Sequence, residues 1–157
     1  MARLNLQLPS LGGTLLAAAL LAGCQESPFG PGERRELERM HQQWNSSRPA
    51  NYSMEIRLSC FCANALPEFT RLDIRGDSVV AAHSFTGDPA PIEGWPTVDD
   101  LFDDLHGTTE SSYDYITGIS VRYDPTYGYP TEYHVTCTDN VADCGSSIFV
   151  RNLQPLP

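Results

Sequence analysis

The chain has 157 residues, and its formal net charge is −10, from ten arginines, no lysine and 20 acidic residues. This length favours one domain with one modest core. The acidic balance repels phosphate backbones and anionic lipid headgroups. It therefore argues against nucleic acid as a partner and against a purely electrostatic attachment to a membrane.

The first 23 residues have the pattern of a secretory signal peptide. Arg3 supplies the positive charge, Leu11–Leu20 forms a short apolar stretch, and small residues precede Cys24. The alternative is a transmembrane anchor, but the apolar stretch is shorter than the about 20 residues that a spanning helix needs. We therefore predict that residues 1–23 are removed and that the mature chain carries nine arginines, 20 acidic residues and a net charge of −11.

The segment Leu21-Ala22-Gly23-Cys24 resembles the lipobox of bacterial lipoproteins. The resemblance implies that Cys24 becomes the N-terminus, with a diacylglyceryl thioether on its sulfur and a further acyl chain such as palmitate on its amine. Two or more acyl chains anchor a protein stably to a membrane. Gln25 is not the aspartate that retains many such proteins in the inner membrane, so the resemblance implies the periplasmic face of the outer membrane.

Residues 24–32 are predicted to be the lipidated cysteine and a flexible tether, because they contain two prolines and two glycines and no apolar period. A single domain is predicted over 33–157. Its first element is a helix over 33–45, in which four residues recur at helical spacing: Leu37, Met40, His41 and Trp44.

Alternation of apolar and polar residues predicts antiparallel strands after this helix. The first three strands are predicted at 51–60, 69–75 and 78–85, and a loop follows at 86–96. Thr97 then caps a second helix, with Asp100 at the capping-box position. Three further strands are predicted at 118–123, 131–137 and 147–153.

The order helix, strand, strand, strand therefore occurs twice along the chain. Runs of strands between separate helices predict an α+β fold, with an antiparallel sheet of about six strands and two helices on one face. The helix-plus-three-strands unit is thus repeated as a pattern of elements, with little residue identity between the halves.

Short motifs between about residues 40 and 153 resemble a family of small bacterial lipoproteins that share an uncharacterised domain of unknown function. The motifs are Trp44, Pro49, Asn51-Tyr52-Ser53, Cys60-Phe61-Cys62, Arg75-Gly76-Asp77-Ser78-Val79, Pro96-Thr97-Val98, Leu101-Phe102, Tyr123-Asp124-Pro125 and Gly128-Tyr129-Pro130-Thr131-Glu132. The resemblance implies one envelope domain and no particular reaction. The doubled element order is also similar to the topology of PepSY-like and beta-lactamase-inhibitor-like domains.

Four cysteines remain after Cys24, namely Cys60, Cys62, Cys137 and Cys144, and they allow three pairings. An oxidising compartment favours structural disulfides. The pairings left open are Cys137 with Cys144 together with Cys60 with Cys62, and a crossed bridge from Cys60 or Cys62 to Cys137. The functional alternatives are redox chemistry at Cys60 and Cys62, or a zinc site completed by His83 and His134.

The aromatic hairpin offers a candidate binding surface, formed by Tyr123, Asp124, Tyr127, Tyr129 and Tyr133. Tyrosines present flat apolar area with a hydroxyl, which suits a peptide or a glycan. The alternative is local packing, in which the rings fill the hairpin and Gly128 sets the turn.

No nucleophile-and-base motif stands out, and the four histidines are scattered singly. The acidic cluster Asp99, Asp100, Asp103 and Asp104 lacks the spacing of a calcium loop and is interpreted as a solvated helix face. We therefore expect no catalytic residue, metal or cofactor. The predicted function is a lipid-anchored, non-catalytic module that binds another protein or an envelope polymer, and the alternative is a thiol–disulfide redox protein using Cys60 and Cys62.

Overall fold

The computed structural model describes residues 29–60, 68–110, 114–141 and 144–157. Within these ranges the chain forms two helices and seven strands. The elements are α1 (Pro31–Ser47), β1 (Asn51–Ser59), β2 (Thr70–Arg75), β3 (Ser78–His83), β4 (Pro89–Ala90), α2 (Val98–Glu110), β5 (Ile116–Tyr123), β6 (Pro130–Cys137) and β7 (Ser146–Pro155). The predicted signal peptide, Cys24 and Cys62 lie outside the described residues.

The described strands form one antiparallel sheet in the order β4-β3-β2-β1-β7-β6-β5. The α+β prediction is confirmed. The predicted number of strands was about six, and the additional strand is β4, which pairs with Ala82 and His83 inside the segment predicted as a loop. Two residues are too few to show an alternating pattern, so β4 has no signal in the sequence.

The core lies between the helices and one face of the sheet. The inward face predicted for β1 is confirmed, because Tyr52, Met54, Ile56 and Leu58 are all buried; Ser53 between them is buried as well. The helices contribute to the same cluster through Leu37, Trp44, Val98, Leu101, Phe102 and Leu105. Both helices therefore cover one face of the sheet, as predicted.

The start of α1 differs from the prediction. The helix begins at Pro31 rather than at residue 33, and Phe29 is buried in the core with 3% exposure. Proline suits the first helical turn, because its fixed φ is helical and no N–H is needed there. Burial of the phenylalanine ring stabilises the fold, because it removes apolar surface from water. The prediction of a flexible tether is therefore wrong for residues 29–32.

The N-terminus of α2 is fixed to the centre of the sheet. The predicted capping box forms, since the Asp100 N–H donates to Thr97 Oγ1 (3.2 Å) and the Thr97 N–H donates to Asp100 Oδ2 (2.8 Å). The next free donor, the Val98 N–H, is taken by the Tyr52 hydroxyl of β1 (3.1 Å). These bonds satisfy N–H groups that the first turn of a helix otherwise leaves unpaired.

The two helix-plus-three-strands units share an order of elements but no symmetry. β1 lies inside the sheet next to β7, whereas β5 lies at an edge. A two-fold axis through the sheet would place β5 beside β1. Instead α2 carries the chain from the β4 edge to the opposite edge, and the last strand returns to the centre.

The β5–β6 hairpin packs directly on α1, and Gly128 permits this close approach. Gly128 has a φ of +84°, and a Cβ there would lie 2.7 Å from the Met40 carbonyl oxygen and 3.2 Å from the Trp44 backbone nitrogen. The Gln43 side chain of α1 also donates to two carbonyl oxygens of the hairpin, at 2.9 and 3.0 Å. Any side chain at position 128 would separate the hairpin from the helix.

We expect Gly128→Ala to lower the free energy of unfolding by about 2–5 kcal/mol, because a positive φ costs about 1–2 kcal/mol and forced overpacking adds about 1–3 kcal/mol. Gly87→Ala is the matched control, since Gly87 has a φ of +90° and no atom lies within 4 Å of its Cβ position. The control should lose only the backbone contribution. Urea denaturation of both variants measures the difference, and equal losses would contradict the close approach.

Candidate functional site

The structure selects among the cysteine pairings. Cys137 and Cys144 form a disulfide with a Cα–Cα distance of 6.1 Å. Cys60 is also disulfide-bonded, and its partner lies outside the described residues because Cys137 and Cys144 bond to each other. The crossed bridge from Cys60 or Cys62 to Cys137 is therefore excluded. The redox function of Cys60 and Cys62 stays a prediction.

The Cys137–Cys144 bridge continues the pairing of β6 with β7. In that pairing Val135 lies opposite Ser146 and His134 lies opposite Ser147. The bridge joins the residues two positions beyond Val135 and two before Ser146, which keeps the same register. It therefore holds the positions of all the side chains that face one another across these two strands.

The tyrosines of the β5–β6 hairpin pack inward rather than forming an exposed surface. Tyr129 and Tyr133 are only 5% and 3% exposed, and Tyr123 and Tyr127 are partly buried against the core. Burial raises the pKa of Tyr123 and of Tyr133. Asp124 Oδ1 accepts hydrogen bonds from two backbone N–H groups of the loop, at 2.9 and 2.7 Å. This packing favours the alternative in which the rings fill the hairpin, and a binding surface at these residues stays a prediction.

The structure does not bring the proposed zinc ligands together. His83 lies on β3 and His134 lies on β6, which are four strand spacings apart, or about 19 Å. Within the described part of the chain, no group of three or more His, Cys, Asp or Glu residues is placed to hold a metal ion.

In the acidic cluster, Asp99 accepts a hydrogen bond from the Trp44 indole (3.2 Å), and Asp100 forms the capping box.

Two histidines that the sequence analysis left as single residues connect the helices. His41 Nδ1 of α1 and His106 Nε2 of α2 lie 3.0 Å apart and share one hydrogen bond. The His41 ring stacks on Phe102, with 4.4 Å between ring centroids. Burial lowers the pKa of His41, and the neighbouring His106 lowers it further, against the opposing carboxylates of Glu38, Asp99 and Asp103.

The sheet face opposite the helices, here called the open face, carries most of the polar strand residues. Alternate residues of each strand point to it, because their neighbours point to the core. Its positively charged strand residues are Arg57, Arg71, Arg75, Arg122 and Arg151, and its negatively charged ones are Glu55, Asp73 and Glu132. This face therefore has an excess of positive charge on a chain whose net charge is −10.

Aromatic rings hold two of these arginines in place. Arg57 Cζ lies 4.3 Å from the centroid of the Phe149 ring and 5.1 Å from that of Phe69, and Arg151 Cζ lies 3.7 Å from Phe69. Cation–π attraction favours this placement. Arg151 Nε donates to Glu55 Oε2 (2.7 Å), and this bond lowers the pKa of Glu55. Arg57, Phe69, Phe149 and Arg151 are called the arginine–phenylalanine patch below.

A groove with a volume of about 260 Å³ lies beside this patch. Its lining residues are Glu55, Phe69, Arg71, His83, Ser84, Phe85, Gly87 and Arg151. Phe85 at its rim is 71% exposed. Pockets for whole small molecules have about 300–1,000 Å³, so this groove has room for one or two side chains of a partner.

A second arrangement on the open face, formed by a histidine, a serine and a glutamate, was not predicted from the sequence. His134 Nδ1 lies 2.7 Å from Ser147 Oγ, and His134 Nε2 lies 2.6 Å from Glu132 Oε1. Glu132 and His134 are two residues apart on one strand, and this spacing was the signal for a shared face. Ser147 comes from the neighbouring strand, so only the pairing of β6 with β7 brings it to the histidine.

Comparison with known proteins identifies a family but no activity. The model of a family of unknown function, DUF6174, matches residues 36–155. No curated protein and no solved structure matches the chain. The matched range contains both helices and all the strands named above except for the first residues of α1.

We expect the free energy of unfolding to fall as the pH drops below 6.5. Unfolded His41 takes up a proton near its usual pKa of 6.5, whereas the folded pKa is lower. Between the two values the unfolded state binds more protons, so acid favours unfolding, and above 6.5 this cost disappears. Thermal melts from pH 7.5 to pH 5 should show a smaller decrease for His41→Gln than for the wild type, and an unchanged slope would contradict this origin.

Proposed function

Because this chain belongs to the DUF6174 family, whose function is unknown, we propose its function from the arrangement of its residues. The protein is a lipid-anchored module of the cell envelope that binds an acidic segment of a partner protein. The binding surface is the open face of the sheet. The observation that carries this proposal is the arginine–phenylalanine patch beside an open groove.

Charge supports an acidic partner. The chain as a whole repels anions, but the open face collects arginines in excess over carboxylates. Arg57 Nε is buried and, among the described residues, has no hydrogen-bond partner. Arg57 as a whole is partly exposed, so a carboxylate can approach its guanidinium group, and hydrogen bonds between charged groups are the strong ones.

The shape of the surface supports a peptide segment rather than a polymer of sugars or a compact ligand. The groove accommodates one or two side chains, and Phe85 and Phe69 offer apolar contact at its edge. Arginine and aromatic residues are enriched in the centres of protein–protein interfaces. Acidic residues with apolar neighbours would match both features.

The sequence of residues 1–24 supports the anchor. A signal peptide followed by a lipobox would leave acyl chains on Cys24, and these supply the membrane affinity. Within the described residues, no helix is long and apolar enough to cross a membrane. The only residues between Cys24 and the buried Phe29 are 25–28, so the anchor would keep the domain close to the membrane surface.

We expect the protein to bind a fluorescein-labelled peptide of alternating glutamate and phenylalanine, with an affinity that falls as salt is added. Arg57→Gln and Arg151→Gln should each weaken binding about tenfold, because each removes about 1.4 kcal/mol of charged contact. Fluorescence anisotropy titrations measure the dissociation constants.

The matched control for these variants is Arg39→Gln. Arg39 lies on α1, away from the open face, and its side chain is 63% exposed beside Glu36. It should leave the affinity unchanged. Equal weakening by Arg39→Gln would show that the overall charge, and not the open face, determines the affinity. Tighter binding of soluble peptidoglycan fragments than of the peptide would overturn the choice of partner.

The anchor generates a separate prediction. Cys24→Ser should block lipidation and cleavage at this position, because serine has no thiol to form the thioether. The variant should keep residues 1–23 and lose its acyl chains, whereas the wild-type protein should begin at a lipidated Cys24. Intact-mass spectrometry of both proteins from membrane and soluble fractions tests this, and a wild-type protein with a free thiol at Cys24 would refute it.

A further inference from the structure

The hydrogen-bonded chain Ser147–His134–Glu132 has the composition and the connectivity of a nucleophile, a base and an orienting carboxylate. Ser147 Oγ lies 2.7 Å from His134 Nδ1, and Glu132 Oε1 lies 2.6 Å from His134 Nε2. All three side chains are partly buried rather than freely solvated. These distances are within the range at which a proton can be transferred.

The carboxylate determines which nitrogen of the imidazole carries the proton. The bond to His134 lowers the pKa of Glu132, so Glu132 is ionised and can only accept. His134 Nε2 must therefore donate, and in the neutral imidazole Nδ1 keeps a lone pair. Ser147 donates its hydroxyl proton to that lone pair. Arg122 lies 3.4 Å from the other carboxylate oxygen and favours the ionised form.

The neighbouring residues hold the serine–histidine–glutamate chain of side chains in position. Phe149 meets the His134 ring edge-on, with 5.4 Å between centroids. The Cys137–Cys144 bridge continues the register in which His134 faces Ser147. On the other side of Ser147, Ser59 of β1 is its register partner. Side chains of such pairs have Cβ atoms about 4.5–5.5 Å apart, so the Ser59 side chain lies beside that of Ser147.

We propose that Ser147 is a nucleophile that accepts acyl groups from carboxylic esters, with His134 as its general base. Ser147 Oγ attacks the ester carbonyl carbon, and its proton passes to His134 Nδ1. The carbon–oxygen bond to the alcohol breaks, and His134 returns the proton to the departing alcohol. Water then attacks the acyl-serine by the same route, which releases the carboxylic acid and restores Ser147.

Ser59 and Glu132 have supporting roles in this reaction. The Ser59 hydroxyl donates to the oxyanion that forms on the carbonyl oxygen. Glu132 is a positioning residue, because it touches His134 and not the reacting atoms. This activity goes beyond the binding of an acidic partner. It can be measured on the purified protein without any partner.

The experiment uses two small probes on the purified protein. A fluorophosphonate should add one phosphonyl group per chain, with loss of fluoride, and peptide mapping should place it on Ser147. p-Nitrophenyl acetate should release p-nitrophenol in a burst. Ser147→Ala should abolish both signals, and His134→Gln should slow both about 100-fold. Ser120→Ala is the matched control, because Ser120 is the β5 register partner of His134, and it should react at the wild-type rate.

A pair of variants at position 132 tests the proton assignment. Arg122 can only donate and lies beside the other carboxylate oxygen, so in Glu132→Gln it favours the amide oxygen on its own side and leaves the amide N–H₂ facing His134 Nε2. This orientation shifts the imidazole proton to Nδ1 and removes the acceptor for Ser147. In Glu132→Ala either nitrogen of the imidazole can carry the proton. We expect Glu132→Gln to react at least about tenfold more slowly than Glu132→Ala. A purely structural role of Glu132 would give the opposite order, since glutamine is the closer replacement.

Two results would overturn the proposal. One is a phosphonyl group on any residue other than Ser147, and the other is an unchanged rate in His134→Gln. Circular dichroism confirms that each variant keeps its fold. Ser147→Cys provides a further check, because its alkylation by iodoacetamide should also slow when His134 is replaced. Peptide binding by the arginine–phenylalanine patch is measured separately, so failure of either proposal leaves the other intact.

Discussion

Trp44 is the residue on which the rest of the structure depends, because its indole connects both helices, the central strand and the hairpin. It is fully buried, and its Nε1–H donates to Asp99 Oδ1 at the start of α2 (3.2 Å). Its ring meets Tyr52 and Tyr129 edge-on, with 5.4 and 6.4 Å between centroids. A buried N–H without an acceptor costs about 1–3 kcal/mol. This bond and its packing therefore position α2 against α1, together with the hydrogen bond between His41 and His106.

The placement of both helices on one face gives the two faces of the sheet different chemistry. In β7, Val150 and Ile148 face the helices, while Ser147, Phe149 and Arg151 point to the open face. The core side must be apolar because water is excluded there. The open face has no such constraint, so the same strands that stabilise the fold also carry ion pairs, cation–π contacts and the serine–histidine–glutamate chain.

Phe149 joins the arginine–phenylalanine patch to the serine–histidine–glutamate chain on that face. Its ring supports the Arg57 guanidinium at 4.3 Å and meets the His134 ring at 5.4 Å. A partner segment held by the patch would thus lie next to Ser147. The register of β6 and β7 is essential for this, since a slip of one residue would turn Phe149 and Ser147 toward the core. The disulfide between the ends of these strands protects that register.

The sequence by itself determined the features that depend on local spacing. The cap formed by Thr97 and Asp100, the alternating faces of β1 and the α+β class follow from residues within a few positions of one another. Only the tertiary structure decided that β1 lies beside β7, that Phe29 is buried, and that His134 faces Ser147. Alternation states which face of a strand a residue occupies, but it does not state which strand lies next to it. That choice depends on how the helices cover the sheet as a whole, through contacts between segments far apart in the chain.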